Sequence, residues 1–170
     1  QLRTHALDIY RPRLSIRRDA RDVVSIAGVE VAEGDGGNDF VDALLRQREI
    51  EVHDATIIWN DELRKAPQLE LTNVHLHLVS SGGRHRFGLR ATPPKELAAP
   101  LDVRGDLQGG TVAALADWNG KLFLELDYAD IAAWRTWVPF PIEFSRGTGA
   151  LRAWFTFSRD QLVEAVADVQ

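Results

Sequence analysis

Residues 69–92 read LELTNVHLHLVSSGGRHRFGLRAT, two apolar alternations separated by a glycine pair, and this stretch decides the class of fold. Leu69 and Leu71 sit two apart, and Val74, Leu76 and Leu78 resume the same spacing after a slip at Thr72-Asn73. Side chains on a strand point alternately to its two faces, so a period of two marks a strand with one apolar side. The slip predicts a β-bulge, since one extra residue changes which positions face inward. Ser80-Ser81-Gly82-Gly83 punctuates the run, after which Phe87, Leu89 and Ala91 alternate with Arg86 and Arg90. Thr92-Pro93-Pro94 ends it, because proline cannot donate to a ladder.

The same pattern extends in both directions. Upstream, Ile50 and Val52 alternate, Asp54-Ala55 reads as a bend, Ile57 and Trp59 resume, and the polar stretch 60–66 reads as a turn. Earlier still, 14–18 and 24–31 read as strands, and a Gly-rich loop follows at 33–39. A short helix is predicted next, capped by Asn38 or Asp39, with Phe40, Val41, Leu44 and Leu45 on one face. Downstream, Leu101, Val103 and Leu107 form a strand interrupted by Gly105, and Leu122, Leu124 and Leu126 mark another at 121–127. Asp130 caps a predicted helix through Ile131, Trp134 and Val138, stopped by Pro139 and Pro141. Residues 149–158 form a last strand carrying Leu151, Ala153, Phe155 and Phe157. Ser158-Arg159-Asp160-Gln161 has the form of a capping box, which predicts a helix with Leu162, Val163, Val166 and Val169 on its apolar side. The expectation is a mainly β chain of eight to ten strands and three short helices. Sequential strands joined by tight turns imply an antiparallel, meandering sheet. Residues 1–170 read as a single region, with sub-parts at 1–47 and 48–170.

Composition narrows the function. Hydrophobic residues make up 45% and charged residues 26%, the balance of a folded domain and not of a disordered chain. A net charge of -5 gives nucleic acid no electrostatic foothold, although six arginines (Arg3, Arg11, Arg13, Arg17, Arg18, Arg21) crowd the first 21 residues. Cysteine is absent, which removes disulfides and thiolate chemistry. No apolar run is long enough for a transmembrane helix. The chain opens on Gln1 and contains no methionine, as expected of a processed or cut chain, and any membrane anchor is expected outside residues 1–170.

Candidate chemistry is thin. His75 and His77 form an H-x-H pair on one strand face, a geometry that metal sites use, with His53 and His85 as further candidates. No carboxylate sits at a familiar ligand spacing from them, so the expectation is no metal and no other cofactor. The loop at 33–39 lacks both phosphate-binding glycine signatures and the register of a calcium loop, which leaves a surface loop. Asp54 with Asp61, or Asp102 with Asp106, would be carboxylate pairs for acid–base work, but each aspartate reads as a turn residue. With no nucleophile elbow either, no catalytic residue is expected. Trp134, Trp137 and Trp154, with Phe140, Phe144, Phe155 and Phe157, concentrate aromatic area in the last third. They read first as a packed core, with the walls or mouth of an apolar groove as the alternative.

Several segments, taken in order, carry a resemblance. They are YRPRLSIRRDARDVVSIAGVEVAEG (10–34), REIEVHDATIIWNDELRKAPQLELTNVHLHLVSSGGRHRFGLRATPP (48–94), APLDVRGDLQG (99–109), WNGKLFLELDYADIAAWRTWVPFP (118–141) and GTGALRAWFTF (147–157). Together the chain resembles the AsmA-like superfamily, most closely its YhdP branch. The resemblance implies a periplasmic portion of a protein anchored in the inner membrane of Gram-negative bacteria. It also implies a curved sheet forming an elongated, taco-like groove that moves phospholipid toward the outer membrane and supports its permeability barrier. Expected partners are phospholipid acyl chains, adjacent repeats of the same chain and other envelope proteins, with self-association through open strand edges. Alternation assigns Ile50, Val52, Leu69, Leu71, Val74, Leu76, Leu78, Phe87, Leu89, Leu122, Leu124, Leu126, Phe155 and Phe157 to the apolar, lipid-facing side. A rival expectation is a structural module of the envelope with no ligand of its own.

Overall fold

The hairpin at the centre of the chain forms as its sequence predicts. In the computed structural model, which describes residues 7–26, 29–31, 42–137, 148–159 and 161–169, Gly82 and Gly83 both take the left-handed conformation at φ of 58° and 74°. Positive φ at both loop positions is the geometry whose twist matches two antiparallel strands, and glycine reaches it without strain. It joins β6 (Leu69–Ser81) to β7 (Arg84–Thr92), with Leu78 opposite Phe87 and Ser81 opposite Arg84. From this hairpin the sheet grows both ways. The other strands are β1 (Leu7–Tyr10), β2 (Arg13–Arg18), β3 (Val24–Ile26), β4 (Val29–Val31), β5 (Glu49–Asp61), β8 (Leu101–Gln108), β9 (Asn119–Asp130), β10 (Thr148–Ser158) and β11 (Gln161–Val169).

All eleven belong to one sheet, ordered β11-β10-β9-β8-β7-β6-β5-β2-β3-β4, with β1 also beside β5. The sheet is open and curved. The expected antiparallel meander runs unbroken from β5 to β11. β1 and β2 add to β5 in parallel instead, with Leu7 opposite Ile50 and Leu14 opposite Ile57.

The slip at Thr72-Asn73 is a bulge, with Asn73 left-handed at φ 48° and the β6–β7 register shifting between Thr72 and His75. It has neighbours. Asp54 in β5 takes φ 52° and Arg11, between β1 and β2, takes φ 54°. Arg11 N–H donates to His53 O at 2.7 Å and Thr56 N–H to Pro12 O at 2.9 Å, so the β1–β2 break fits against the β5 bulge. Because β5 and β6 each carry one extra residue, pairing is restored on both sides, with Val52 opposite Leu76 and Ile57 opposite Leu71.

Three sequence expectations change. Residues 24–31 form a two-strand hairpin, Val24 opposite Val31, and not one strand. Gly105 does not interrupt β8; it pairs with Phe87, whose ring fills the space a Cβ would occupy. The predicted C-terminal helix is β11. Arg159 turns at φ 47°, and Ser158 pairs with Gln161 across a two-residue loop. That turn is incompatible with an N-cap, and pairing to the free edge of β10 satisfies the backbone of the segment instead. The helical pieces are short: α1 at 42–45, a 3-10 segment at Val112–Asp117 that the sequence did not announce, and α2 at Ile131–Trp134. Asp130 caps α2 as expected, its carboxylate accepting from Ala133 N–H at 2.9 Å. The Gly-rich loop, the α1 cap, Phe140, Phe144, Val138 and the prolines after it lie outside the described residues.

Candidate functional site: the apolar face

Cross-strand register sorts the sheet into two chemically distinct faces. One row runs Val52, Leu76, Leu89, Val103, Leu124, Ala153, and the next runs Ile50, Leu78, Phe87, Gly105, Leu122, Phe155. All fourteen residues assigned by alternation therefore share one face. Four of them, Ile50, Leu69, Val74 and Leu126, are buried. The other ten are half-buried, so the face remains partly open.

Burial is concentrated in two small clusters. Ala55, Val74 and Ala91 form one, flanked by Val52, Ile57, Leu71, Leu89 and Leu101. Ala98, Leu126 and Ala129 form the other, where Leu124, Leu151 and Trp134 pack against them. Trp134 meets Trp137 edge to face at 6.2 Å, and the Trp137 indole donates to Pro67 O at 2.9 Å, tying the α2 end of the chain to the loop before β6. Trp154 departs from the aromatic grouping read in the sequence. It lies on the opposite face, 42% exposed, against Phe123 at 5.2 Å, while Phe155 and Phe157 stay on the apolar side.

The opposite face is a ladder of charge pairs. Arg84 bonds Asp106, Arg90 and Arg104 converge on Asp102 at 3.3 and 3.1 Å, and Arg152 meets Glu125 at 2.8 Å. Arg84 holds the Asp106 carboxyl below its ordinary value through hydrogen bonding and charge. Partial burial pushes Asp102 upward, but hydrogen bonds from Arg104 and Arg90 outweigh it and the net displacement is downward. A carboxylate depressed in the folded state contributes stability above its unfolded pKa of about 4 and loses it as pH falls through the folded value. The urea midpoint is expected to fall between pH 6 and pH 3, and Asp106→Asn should shrink that difference, as read by circular dichroism.

These aspartates are strand residues and not turn residues, which corrects the sequence reading. Asp61 does serve a turn, accepting from Arg64 N–H at 3.0 Å, and Asp54 sits on its bulge, 3.1 Å from His75. Each of the four is engaged, Asp102 and Asp106 by arginines, Asp61 in its turn and Asp54 beside His75.

The histidines separate. His53, His75 and His77 lie on the polar face, and cross-strand pairing brings the carboxylates that linear spacing hid. His53 is 3.3 Å from Asp8 and 3.4 Å from Glu51, and His77 is 2.8 Å from Glu49. Tyr10 stacks on His53 at 4.6 Å. Among the described residues, Asp8–Glu51–His53 and Glu49–Glu51–His77 each bring three ligand-type atoms within 4.8 Å, at partly exposed positions. His85 is elsewhere, buried at the end of the apolar face.

Among the described residues no helix is long and apolar enough to cross a membrane. Compared with known families, the sequence matches the family model described as YhdP protein over residues 1–170. No curated protein and no solved structure matches it.

Proposed function

Because the chain belongs to the YhdP family of AsmA-like envelope proteins, we propose that its sheet is one stretch of a periplasmic surface along which phospholipid acyl chains pass between the inner and outer membranes. The observation that carries this reading is the apolar face, continuous from β5 to β10 and partly exposed at ten of its fourteen assigned positions. Apolar area left in water is unfavourable by roughly 25 cal/mol per Å2, so a face of this kind favours an apolar occupant. The charge ladder on the other side suits water. The surface acts by partitioning and needs no catalytic residue.

A second reading has its own observation. β11 is an edge strand with Leu162, Val163 and Val166 between 48% and 64% exposed. Such an edge accepts another strand, from the next repeat or from an envelope protein. A structural module would use that edge and leave the apolar face to packing.

Native mass spectrometry with lipid extraction, on protein purified from bacterial cells without detergent, separates the two. Co-purifying phospholipid is expected, and Leu76→Asp or Leu124→Asp should cut its occupancy about tenfold while circular dichroism stays unchanged, since a charge in an acyl-chain site is strongly unfavourable. A lipid-free mass for the native sequence would move the function to the edge.

A further inference from the structure

The polar face follows one rule from β7 to β10 and breaks it at β1 and β5. Asp102, Asp106 and Glu125 each meet an arginine. Asp8 and Glu51 meet none among the described residues, and their ionic contacts there are to His53 alone. Asp8 stands directly opposite Glu51 where β1 joins β5. Like charges so placed destabilise a strand pair, and a cation between them removes that cost. His53, two residues after Glu51, shares its face. Tyr10, opposite His53, stacks on the imidazole at 4.6 Å and 17° and orients the ring.

Distances separate this cluster from an ordinary ion pair. His53 Nε2 lies 3.3 Å from Asp8 Oδ1 and 3.4 Å from Glu51 Oε2. Both are long for a charge-assisted N–H···O bond, which spans about 2.7–2.9 Å. They match the edge of a tetrahedron instead, since two ligands about 2.0–2.1 Å from one zinc ion are about 3.3–3.4 Å apart. Three ligand-type atoms, one from each residue, lie within 4.8 Å of one another. The neighbouring cluster of Glu49, Glu51 and His77 differs, because His77 Nε2 is already 2.8 Å from Glu49 and satisfied by that hydrogen bond. With a neutral imidazole the first cluster carries two negative charges, which a divalent ion cancels and a single proton does not. The side chains of Asp8, Glu51 and His53 are 47%, 39% and 30% exposed, so an ion can enter from solvent and keep water as a further ligand. One imidazole and two carboxylates suit zinc, whereas calcium and magnesium favour shells made of oxygen alone.

We propose that Asp8, Glu51 and His53 bind one Zn2+ ion, which fastens β1 to β5. β1 is four residues long and is parted from β2 by the left-handed residue Arg11. A bond through the ion holds this short strand by side chains as well as by its ladder. The site lies on the face opposite the apolar rows and does not depend on what they carry.

The test is isothermal titration of the chain with ZnCl2 in a non-chelating buffer at neutral pH, followed by long-range 1H–15N spectra of the histidines. One ion per chain is expected, with the His53 Nε2 resonance shifted. Asp8→Asn, Glu51→Gln and His53→Gln should each weaken binding about tenfold or more, since disturbing a ligand's hydrogen-bond partner alone typically costs that much. His77→Gln should leave the affinity unchanged. Zinc should also slow hydrogen exchange of the β1 amides, and His53→Gln should lose that slowing. All four altered side chains are partly exposed, and circular dichroism checks that each variant folds. Zinc held as tightly by His53→Gln as by the native sequence would overturn the site. A loss in His77→Gln as large as that in His53→Gln would move the ion to the neighbouring cluster and overturn the assignment. Calcium binding as tightly as zinc would reduce the cluster to a patch that attracts any divalent ion. Absence of saturable zinc binding would overturn the proposal outright.

Discussion

Val74→Asp is expected to abolish cooperative folding of the central sheet at neutral pH. Val74 is 2% exposed and lies in a cluster with Ala55 and Ala91, each 1% exposed. The alanines leave room for one branched side chain, and the surrounding Val52, Ile57, Leu71, Leu89 and Leu101 are apolar. A carboxylate placed there loses its water and gains no partner from that cluster, at a cost of several kcal/mol. A domain is stable by only about 5–15 kcal/mol, so most of the margin goes. Burial raises the pKa of the introduced carboxyl, so stability should return as pH falls below the unfolded value near 4 and vanish again as pH rises through the raised folded value. Leu76→Asp, two residues along the same face, is the contrast, because Leu76 is partly exposed and a carboxylate there keeps contact with water. Urea unfolding of both variants at pH 3 and pH 7 measures the difference. Equal midpoints at pH 7 would mean that the face has no dry interior at Val74.

Arg18→Met is the second large effect, a clearly lower urea midpoint. Arg18 stands opposite Asp61 where β2 pairs with β5, its Nη1 3.6 Å from an Asp61 side chain with no exposed surface. Asp61 Oδ1 accepts from Arg64 N–H at 3.0 Å, while Oδ2 has no hydrogen bond among the described residues. Removing the cation beside a buried carboxylate strands that charge, which is destabilising. Arg18 keeps a quarter of its side-chain exposure and also bonds Asp22, so water and that second partner temper the effect. Adding Asp61→Asn should recover much of the loss, since the amide oxygen still caps the turn and no charge is stranded. A urea midpoint unchanged in Arg18→Met would show that Asp61 finds its compensation elsewhere.

The apolar face was legible because its rule is local. Period two placed all fourteen residues on one side, and the slip at Thr72-Asn73 was visible as a change of phase. What escaped depended on partners distant in sequence. Nothing in LDIY or RLSIRR announces a parallel neighbour more than forty residues on, because parallel pairing leaves no turn signature. The carboxylates beside His53 and His77 were hidden for the same reason: Asp8 and Glu49 reach them across strands. The C-terminal segment was misread because Leu162, Val163 and Val166 fit a helical stripe as well as a short strand. Arg159 and the open edge of β10 decided between them. His85 was expected with the other histidines and lies on the apolar side, since the Gly82-Gly83 turn sets the phase of β7.

Arg11, Asp54 and Asn73 place one supernumerary residue at the same level in three neighbouring chain segments, while β7 has none. Losing Asp54 alone would restore plain alternation in β5 and keep Ile57 and Trp59 on their present face, but it would leave the breaks beside it, at Arg11 and at Asn73, without their counterpart. Losing all three would leave every side chain on its present face. Insertions and deletions along this line therefore keep the three segments matched to one another only when they come as a set. Among natural variants, the lengths of these segments should change together or not at all, even though Arg11 and Asn73 are far apart in the gene.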